Sequence, residues 1–512
     1  MSSWFCDYAW TGRRVAADVV IRTEGGWVTE VTTGVVGKPD GATRLRGLTL
    51  PAFANGHSHA FHRALRGRTH SVDDGGRGPG SGSFWTWREQ MYRVAERLDP
   101  DSYHRLARAL YAEMVLAGYG VVGEFHYLHH APGGQRYTDP NAMGEALIAA
   151  ADDAGIRLTL LDTCYLTAGV AGDALNGVQR RFGDGDAESW ADRVDSIARS
   201  HPADVAAAAA VATSRPRIPG QLPGTGPAAD DRSPDGLVRI GAAIHSVRAV
   251  PPSAIETVAE RTAARGAPLH VHLSEQPREN EDCLAAHGRT PTGLLADHGA
   301  LSARTTAVHA THLTVDDVDR LAASETRACI TRTTERDLAD GAPDLGRIAD
   351  AGIGLCVGSD SNAIVDPFEE TRGLELDERS RTLGRGHLSP ATLLGAGTRE
   401  GYASLGWLNP TAGPGSAGIG LSHETALTGR IPWDGIRVGD LADLTVVSLE
   451  SVRMAGWSRE TLLDHAVFAA TAADVTDTII AGRHVVRDRT HTTIPHPAAA
   501  LHQEIRTLLD HP

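Results

Sequence analysis

Two histidines separated by one residue, His57 and His59, close an apolar run that begins at Pro51. On an extended strand, alternate side chains share a face, so this pair can reach one ion from a rigid base. Imidazole suits zinc and similar divalent metals. The chain holds 24 histidines, so for an isolated pair a surface or capping role is the stronger reading, and the metal reading depends on partners further along. Such partners recur after short apolar runs: His270, His272 and Glu275, then His309 and His312, then Asp360 in Gly358-Ser-Asp-Ser361. Any one of these histidines fits a hydrogen-bonded core role as well as ligation. Their recurrence at four run ends favours a metal site.

The elements that must position these groups alternate short apolar runs with longer amphipathic segments, the pattern of repeated βα units. Eight candidate strands follow: 48–54, 121–125, 157–164, 238–244, 269–273, 306–308, 328–330 and 354–357, with helical patterns such as 101–117 and 255–264 between them. Eight parallel strands imply an α/β fold, a (β/α)8 TIM-like barrel whose active groups sit at the C-terminal strand ends. Residues 1–50 and 426–490 instead alternate apolar and polar residues with Gly-rich turns, which predicts a small β-sandwich domain built from both ends of the chain. The barrel is expected over 51–425, with a flexible insertion at 203–235 rich in Ala, Pro, Gly and Asp, and a helical tail over 491–512.

Composition narrows the partners. A chain of 512 residues with 41% hydrophobic and 22% charged residues can bury a large core. Its net charge of -15 and pI ≈ 5.9 argue against a nucleic-acid or anionic-membrane partner. No apolar stretch approaches the ~18 residues of a membrane helix. Five scattered cysteines form no Cys-x-x-Cys pattern, so neither a disulfide framework nor a thiolate site is indicated, and a reducing cytoplasm fits. The single lysine, Lys38, lies in a turn before the His57 run. A lysine bridging two metals would have to be that one, so a single ion is the better reading. The expected partners are a small-molecule substrate and a second copy of the chain as a homodimer.

The order of these motifs resembles the amidohydrolase superfamily, metal-dependent hydrolases and deaminases built on this barrel with a small β domain from the termini. The resemblance to its one-metal deaminase branch implies that His57, His59, His272 and Asp360 hold one divalent ion, zinc preferred. It implies that Glu275 shuttles protons, that His309 orients the attacking water, and that Asp360 takes the water's proton. Within the superfamily, 50–135 and 237–380 are most similar to the deiminases of N-formimidoyl-L-glutamate. The stretches Phe84-Trp-Thr-Trp-Arg-Glu-Gln-Met-Tyr-Arg93, Gly123-Glu-Phe-His-Tyr-Leu-His-His130, His245-Ser-Val-Arg248 and Thr333-Thr-Glu-Arg-Asp-Leu-Ala-Asp-Gly341 carry that likeness. It implies hydrolysis of the formimidoyl group to N-formyl-L-glutamate and ammonia, with Tyr127 and His245 donating to the glutamate portion.

A dicarboxylate entering an acidic protein needs local cations, and Arg88 and Arg248 are the candidates. Two positions depart from the family's pattern. His62 stands where that pattern carries glutamine, at a carboxylate contact, and Arg332 stands where it carries a small residue or proline. The alternatives are a deaminase of a purine, pterin or other cyclic amidine, which would share every metal ligand, and a barrel that serves as a non-catalytic scaffold.

Overall fold

The computed structural model describes residues 1–69, 84–202, 236–408 and 435–510. The expected insertion at 203–235 lies outside the described residues, as does 409–434. The N-terminal strands are β1 (Ser2–Trp10), β2 (Val15–Glu24), β3 (Trp27–Thr32) and β4 (Thr43–Pro51). The central strands are β5 (Phe53–Ser58), β6 (Tyr119–His126), β7 (Arg157–Cys164), β8 (Val238–Ile244), β9 (Leu269–Leu273), β10 (Thr305–His309), β11 (Arg327–Ile330) and β12 (Leu355–Val357). Near the C-terminus follow β13 (Leu444–Val447), β14 (Val475–Ile480), β15 (Arg483–Arg487) and β16 (Thr490–His491).

Strands β5 to β12 pair in sequence order, all parallel, with helices between them. A parallel bridge between Ser58 and Asp360 joins the last strand end to the first, closing the barrel. β5, β6, β7 and β9 are buried along their whole length, as expected of strands covered on both faces. Strands β7, β8 and β9 begin and end where the apolar pattern places them. The first strand does not. The run 48–54 is two strands, because Leu48–Pro51 pairs antiparallel with β13 while Phe53 opens β5 of the barrel. Apolar character is continuous across Ala52 since both sheets bury their half.

The terminal segments form a second eight-stranded sheet in the order β16-β15-β14-β13-β4-β1-β2-β3. Its far edge folds back: Val28 N–H donates to the Asp440 carbonyl and Gly439 N–H to the Val28 carbonyl, both at 2.8 Å. Trp4, Cys6, Val19, Ile21, Leu45, Leu444 and Ile479 fill the space enclosed. Lys38 belongs to this region, donating to the Ala42 carbonyl at 2.9 Å.

The seam between the two sheets is polar but saturated. Arg157, the first residue of β7, makes a bidentate pair with Asp443 at 2.6 and 3.1 Å. Asp443 also accepts from Tyr402 Oη at 3.0 Å and Ala481 N at 2.8 Å. Charges this buried persist only when their lone pairs are satisfied. Next to the seam, Gly118 adopts φ +100°, and a Cβ there would lie 2.8 Å from Thr445, so only glycine lets the strand β6 start this close to β13. Among the described residues, no helix is long and apolar enough to cross a membrane.

Candidate active site

The barrel strands deliver the chemically capable side chains to one end. His57 lies near the end of β5 and His59 just after it, His272 lies near the end of β9 and Glu275 just after it, His309 ends β10, and Asp360 follows β12. His272 Nε2 lies 3.1 Å from His57 Nε2 and 3.3 Å from His59 Nε2. Asp360 Oδ1 lies 3.4 Å from His57 Nε2 and 3.5 Å from His59 Nε2. A tetrahedral ion with ligand bonds near 2.0–2.1 Å has ligand–ligand edges of about 3.3 Å, so these four spacings fit one such ion. His59 Nδ1 hydrogen-bonds the Phe125 carbonyl at 2.9 Å, which puts the proton on Nδ1 and turns the Nε2 lone pair toward the other three groups. Burial first, then the neighbouring histidines, depress the pKa values of His57 and His272, and His59 is lowered to about 3. Neutral imidazoles with converging lone pairs beside a carboxylate make a donor set for a divalent cation.

The backbone at this end is constrained. Ser274, His309, Ala310, Asp360 and Asn362 all have positive φ, from 44° to 70°. Non-glycine residues hold that conformation where surrounding structure enforces it. Part of the enforcement is a polar lock the sequence did not reveal. Asn55 Nδ2 donates to Ser359 Oγ at 2.7 Å, Ser359 Oγ donates to Asn362 Oδ1 at 2.6 Å, and Asn362 Nδ2 donates to the carbonyls of His59 and Asp360, each at 3.1 Å. Gly358 is equally fixed, since a Cβ there would meet His57 at 2.7 Å.

His309 stands between two acids. Its Nε2 is 3.7 Å from Glu275 Oε1, and its Nδ1 is 3.5 Å from Glu335 Oε1 and 3.1 Å from Thr331 Oγ1. Burial lowers its pKa, but Glu275, Glu335 and Asp360 outweigh that and lift it to about 10. Glu335 is itself held by Arg332, whose Nη1 donates at 2.5 Å while its Nε reaches Asp377. The departure at Arg332 therefore has a physical role here, tying the short helix Arg332–Asp337 after β11 to the helix Pro367–Thr382.

Beyond this set lies a cavity of about 610 Å³, lined among others by His59, His62, Arg88, Tyr127, His245, Arg248, His272, Glu275, His309 and Asp360. Every residue expected at the site reaches it except His57, which is fully buried at its floor. His62 Nε2 and Tyr127 Oη share a hydrogen bond of 2.9 Å. Arg88 Nε donates to Tyr92 Oη at 2.6 Å, and Arg88 Nη2 lies 3.5 Å from Tyr165 Oη. His245 packs edge-on against Tyr165, with ring centroids 4.5 Å apart. Arg248 Nη2 is 3.4 Å from Glu275 Oε2 and its Nε is 3.6 Å from Glu279 Oε2. Burial lowers the Arg248 pKa, and Glu279 followed by Glu275 more than restores it.

Tyr92, Tyr165 and Glu279 were missed by the sequence reading. Tyr92 had a signal, its i+4 spacing from Arg88 on the helix Phe84–Arg97. A second buried group, His126, His129 and Asp162, also has ligand-type spacing. There Arg193 occupies both oxygens of Asp162, at 2.6 and 2.8 Å, so the carboxylate is already neutralised by an ion pair.

A parallel eight-stranded barrel, a second sheet from the termini and a His/Asp donor set able to hold a metal ion at the strand ends are the architecture of a hydrolase family. The amidohydrolase family model matches residues 48–410, and the chain belongs to that family. Among curated proteins it is similar to the formimidoylglutamate deiminase of Pseudomonas aeruginosa, 34% identical over 92% of each chain. It is also similar to the 5-methylthioadenosine/S-adenosylhomocysteine deaminase of Nitratidesulfovibrio vulgaris, 26% identical over 50% of this chain and 53% of that one. Among solved structures, an amidohydrolase from Brucella melitensis superposes with a TM-score of 0.80 at 28% identity, covering 99% of this chain and 100% of the other.

Proposed function

We propose that this chain is a formimidoylglutamate deiminase, converting N-formimidoyl-L-glutamate and water to N-formyl-L-glutamate and ammonia. The observation that carries the reading is the pair of arginines, Arg88 and Arg248, on the walls of the cavity that opens over the His57/His59/His272/Asp360 set. Two cations beyond a hydrolytic centre suit an acyclic diacid, and the Pseudomonas aeruginosa relative bears this activity in its name.

The four ligands suit one divalent ion, zinc by its preference for imidazole with a carboxylate in tetrahedral geometry. Such an ion supplies a Lewis acid that lowers the pKa of water from about 15.7 toward 7. Asp360 accepts the proton of the attacking water, and His309 at Nε2 fixes the water's direction. Glu275, 3.7 Å from that nitrogen, carries protons to the departing amidine nitrogen so that ammonia leaves. Arg88 and Arg248 bind the two carboxylates, while the His62–Tyr127 pair and His245 border the glutamate backbone. Here His62 supplies a ring nitrogen where the family's pattern has an amide, and it holds Tyr127 in place.

A second reading is favoured by the aromatic lining of Trp87, Tyr92, Tyr165 and Phe182, which offers faces to a purine. The test is to incubate zinc-loaded protein with N-formimidoyl-L-glutamate and follow products by NMR. Equal amounts of ammonia and N-formyl-L-glutamate support deimination, whereas unchanged substrate alongside deamination of a purine nucleoside would move the second reading ahead.

A further inference from the structure

Arg248 faces two carboxylates with different surroundings. Glu275 lines the cavity, whereas Glu279, in the first turn of the helix Pro277–His287, sits behind the arginine with its side chain fully buried and outside the cavity lining. Among the described residues, no side chain donates a hydrogen bond to either oxygen of Glu279. Among the described residues its paired cation is Arg248, 3.6 Å from Nε to Oε2, with smaller support from the Ser274 backbone N–H and His309. An ionised carboxylate buried this deeply is costly without a partner, so its position needs a reason. Proton transfer to substrate is not that reason, because Glu279 does not line the cavity whereas Arg248 does.

We infer that Glu279 is a positioning residue for substrate recognition. It is the fixed post that keeps Arg248 directed into the cavity while the arginine exchanges its other partner, Glu275, for a substrate carboxylate. The inference rests on the proposed function, in that the substrate must bring a carboxylate. The geometry gives the exchange a consequence for catalysis. In the resting site, Arg248 Nη2 lies 3.4 Å from Glu275 Oε2, so part of the shuttle's carboxylate is engaged. A carboxylate-bearing substrate that takes over Nη2 releases Glu275 for proton transfer, whereas an amidine without a carboxylate leaves the pair in place. Recognition and proton delivery are thereby linked through one guanidinium, and Glu279 keeps it from following either partner.

The experiment compares the zinc-loaded parent with E279Q, R248M and the double variant. It measures KM and kcat for N-formimidoyl-L-glutamate, calorimetric binding of N-formyl-L-glutamate, metal content and Tm. E279Q is expected to raise KM and weaken N-formyl-L-glutamate binding by about tenfold, the scale of one charge-assisted contact, with a smaller change in kcat and unchanged metal. Adding E279Q to R248M is expected to change KM by less than about twofold, because a residue that acts through Arg248 has no effect once Arg248 is gone. The double variant is also expected to have a higher Tm than R248M, in which Glu279 is buried without a cation. That comparison stands even if E279Q alone does not accumulate. Additive effects of the two substitutions, an E279Q KM within twofold of the parent, or a Tm lower in the double variant than in R248M would overturn the inference. If the parent neither turns over N-formimidoyl-L-glutamate nor binds N-formyl-L-glutamate, the proposed function itself fails, a result distinct from any of these.

Discussion

Replacing Glu275 by glutamine removes one ionisable oxygen and changes little else, so its effect isolates proton transfer. The carboxylate lies 3.7 Å from His309 Nε2 and 3.4 Å from Arg248 Nη2, and it takes no part in the 3.1–3.5 Å spacings among His57, His59, His272 and Asp360. Both neighbours keep a second acid: Glu335 stays 3.5 Å from His309 Nδ1, and Glu279 stays 3.6 Å from Arg248 Nε. Neither cation is stranded, and the donor set keeps its shape. General acid–base groups contribute typically 10²–10⁴-fold, about 2.7–5.5 kcal/mol of barrier. Glu275→Gln should therefore lower kcat at least about 100-fold, with KM changed only a few-fold and metal content equal to the parent's. Steady-state ammonia release, with metal analysis on the same preparation, reads all three. A kcat within twofold of the parent at full metal content would refute the proton-shuttle role, and loss of metal in step with activity would make Glu275 part of the binding set.

His57→Ala should abolish stoichiometric metal retention and turnover together, and full activity after dialysis against a chelator would contradict a metal-dependent site. Arg157→Met leaves Asp443 buried with only neutral donors, which should destabilise the fold by about 3–5 kcal/mol, read as a lower urea midpoint, while kcat per folded molecule is retained. An unchanged midpoint would mean the seam does not depend on that pair. Glu370 gives a pH signature: burial lifts its carboxyl from 4.5 to about 8 against the opposing hydrogen bonds from Thr333. The folded state keeps a proton the unfolded state has lost, so stability falls as pH rises from about 4.5 to 8, by up to about 5 kcal/mol. Glu370→Gln should match the parent near pH 5 and exceed its Tm increasingly toward pH 8.5; parallel curves would show that Glu370 ionises normally in the fold.

The barrel was legible because its strands are apolar on both faces and because ligand-type residues stand at their ends, where β9 and β10 put His272 and His309. What escaped notice depends on contacts distant in sequence. Asn55, Ser359 and Asn362 lock β5 to the loop after β12 across about 300 residues, and as isolated polar residues they carry no pattern. Glu279 reads as the exposed first turn of a surface helix, and only the folded loop after β8 brings Arg248 against it. The division at Ala52 was hidden because the two sheets it separates are equally apolar there. Arg332 departs from the family's pattern for a spatial reason, since Glu335 and Asp377 stand on either side of it.

The most direct test of the account is a comparison of kcat/KM on one zinc-loaded preparation for N-formimidoyl-L-glutamate and for 5-methylthioadenosine. The structure's paired arginines predict ammonia release from the glutamate amidine with kcat/KM of at least about 10⁴ M⁻¹s⁻¹, and at least about 100-fold above the nucleoside, the scale of one or two charge-assisted contacts. A nucleoside turned over as well as or better than the glutamate amidine would contradict it.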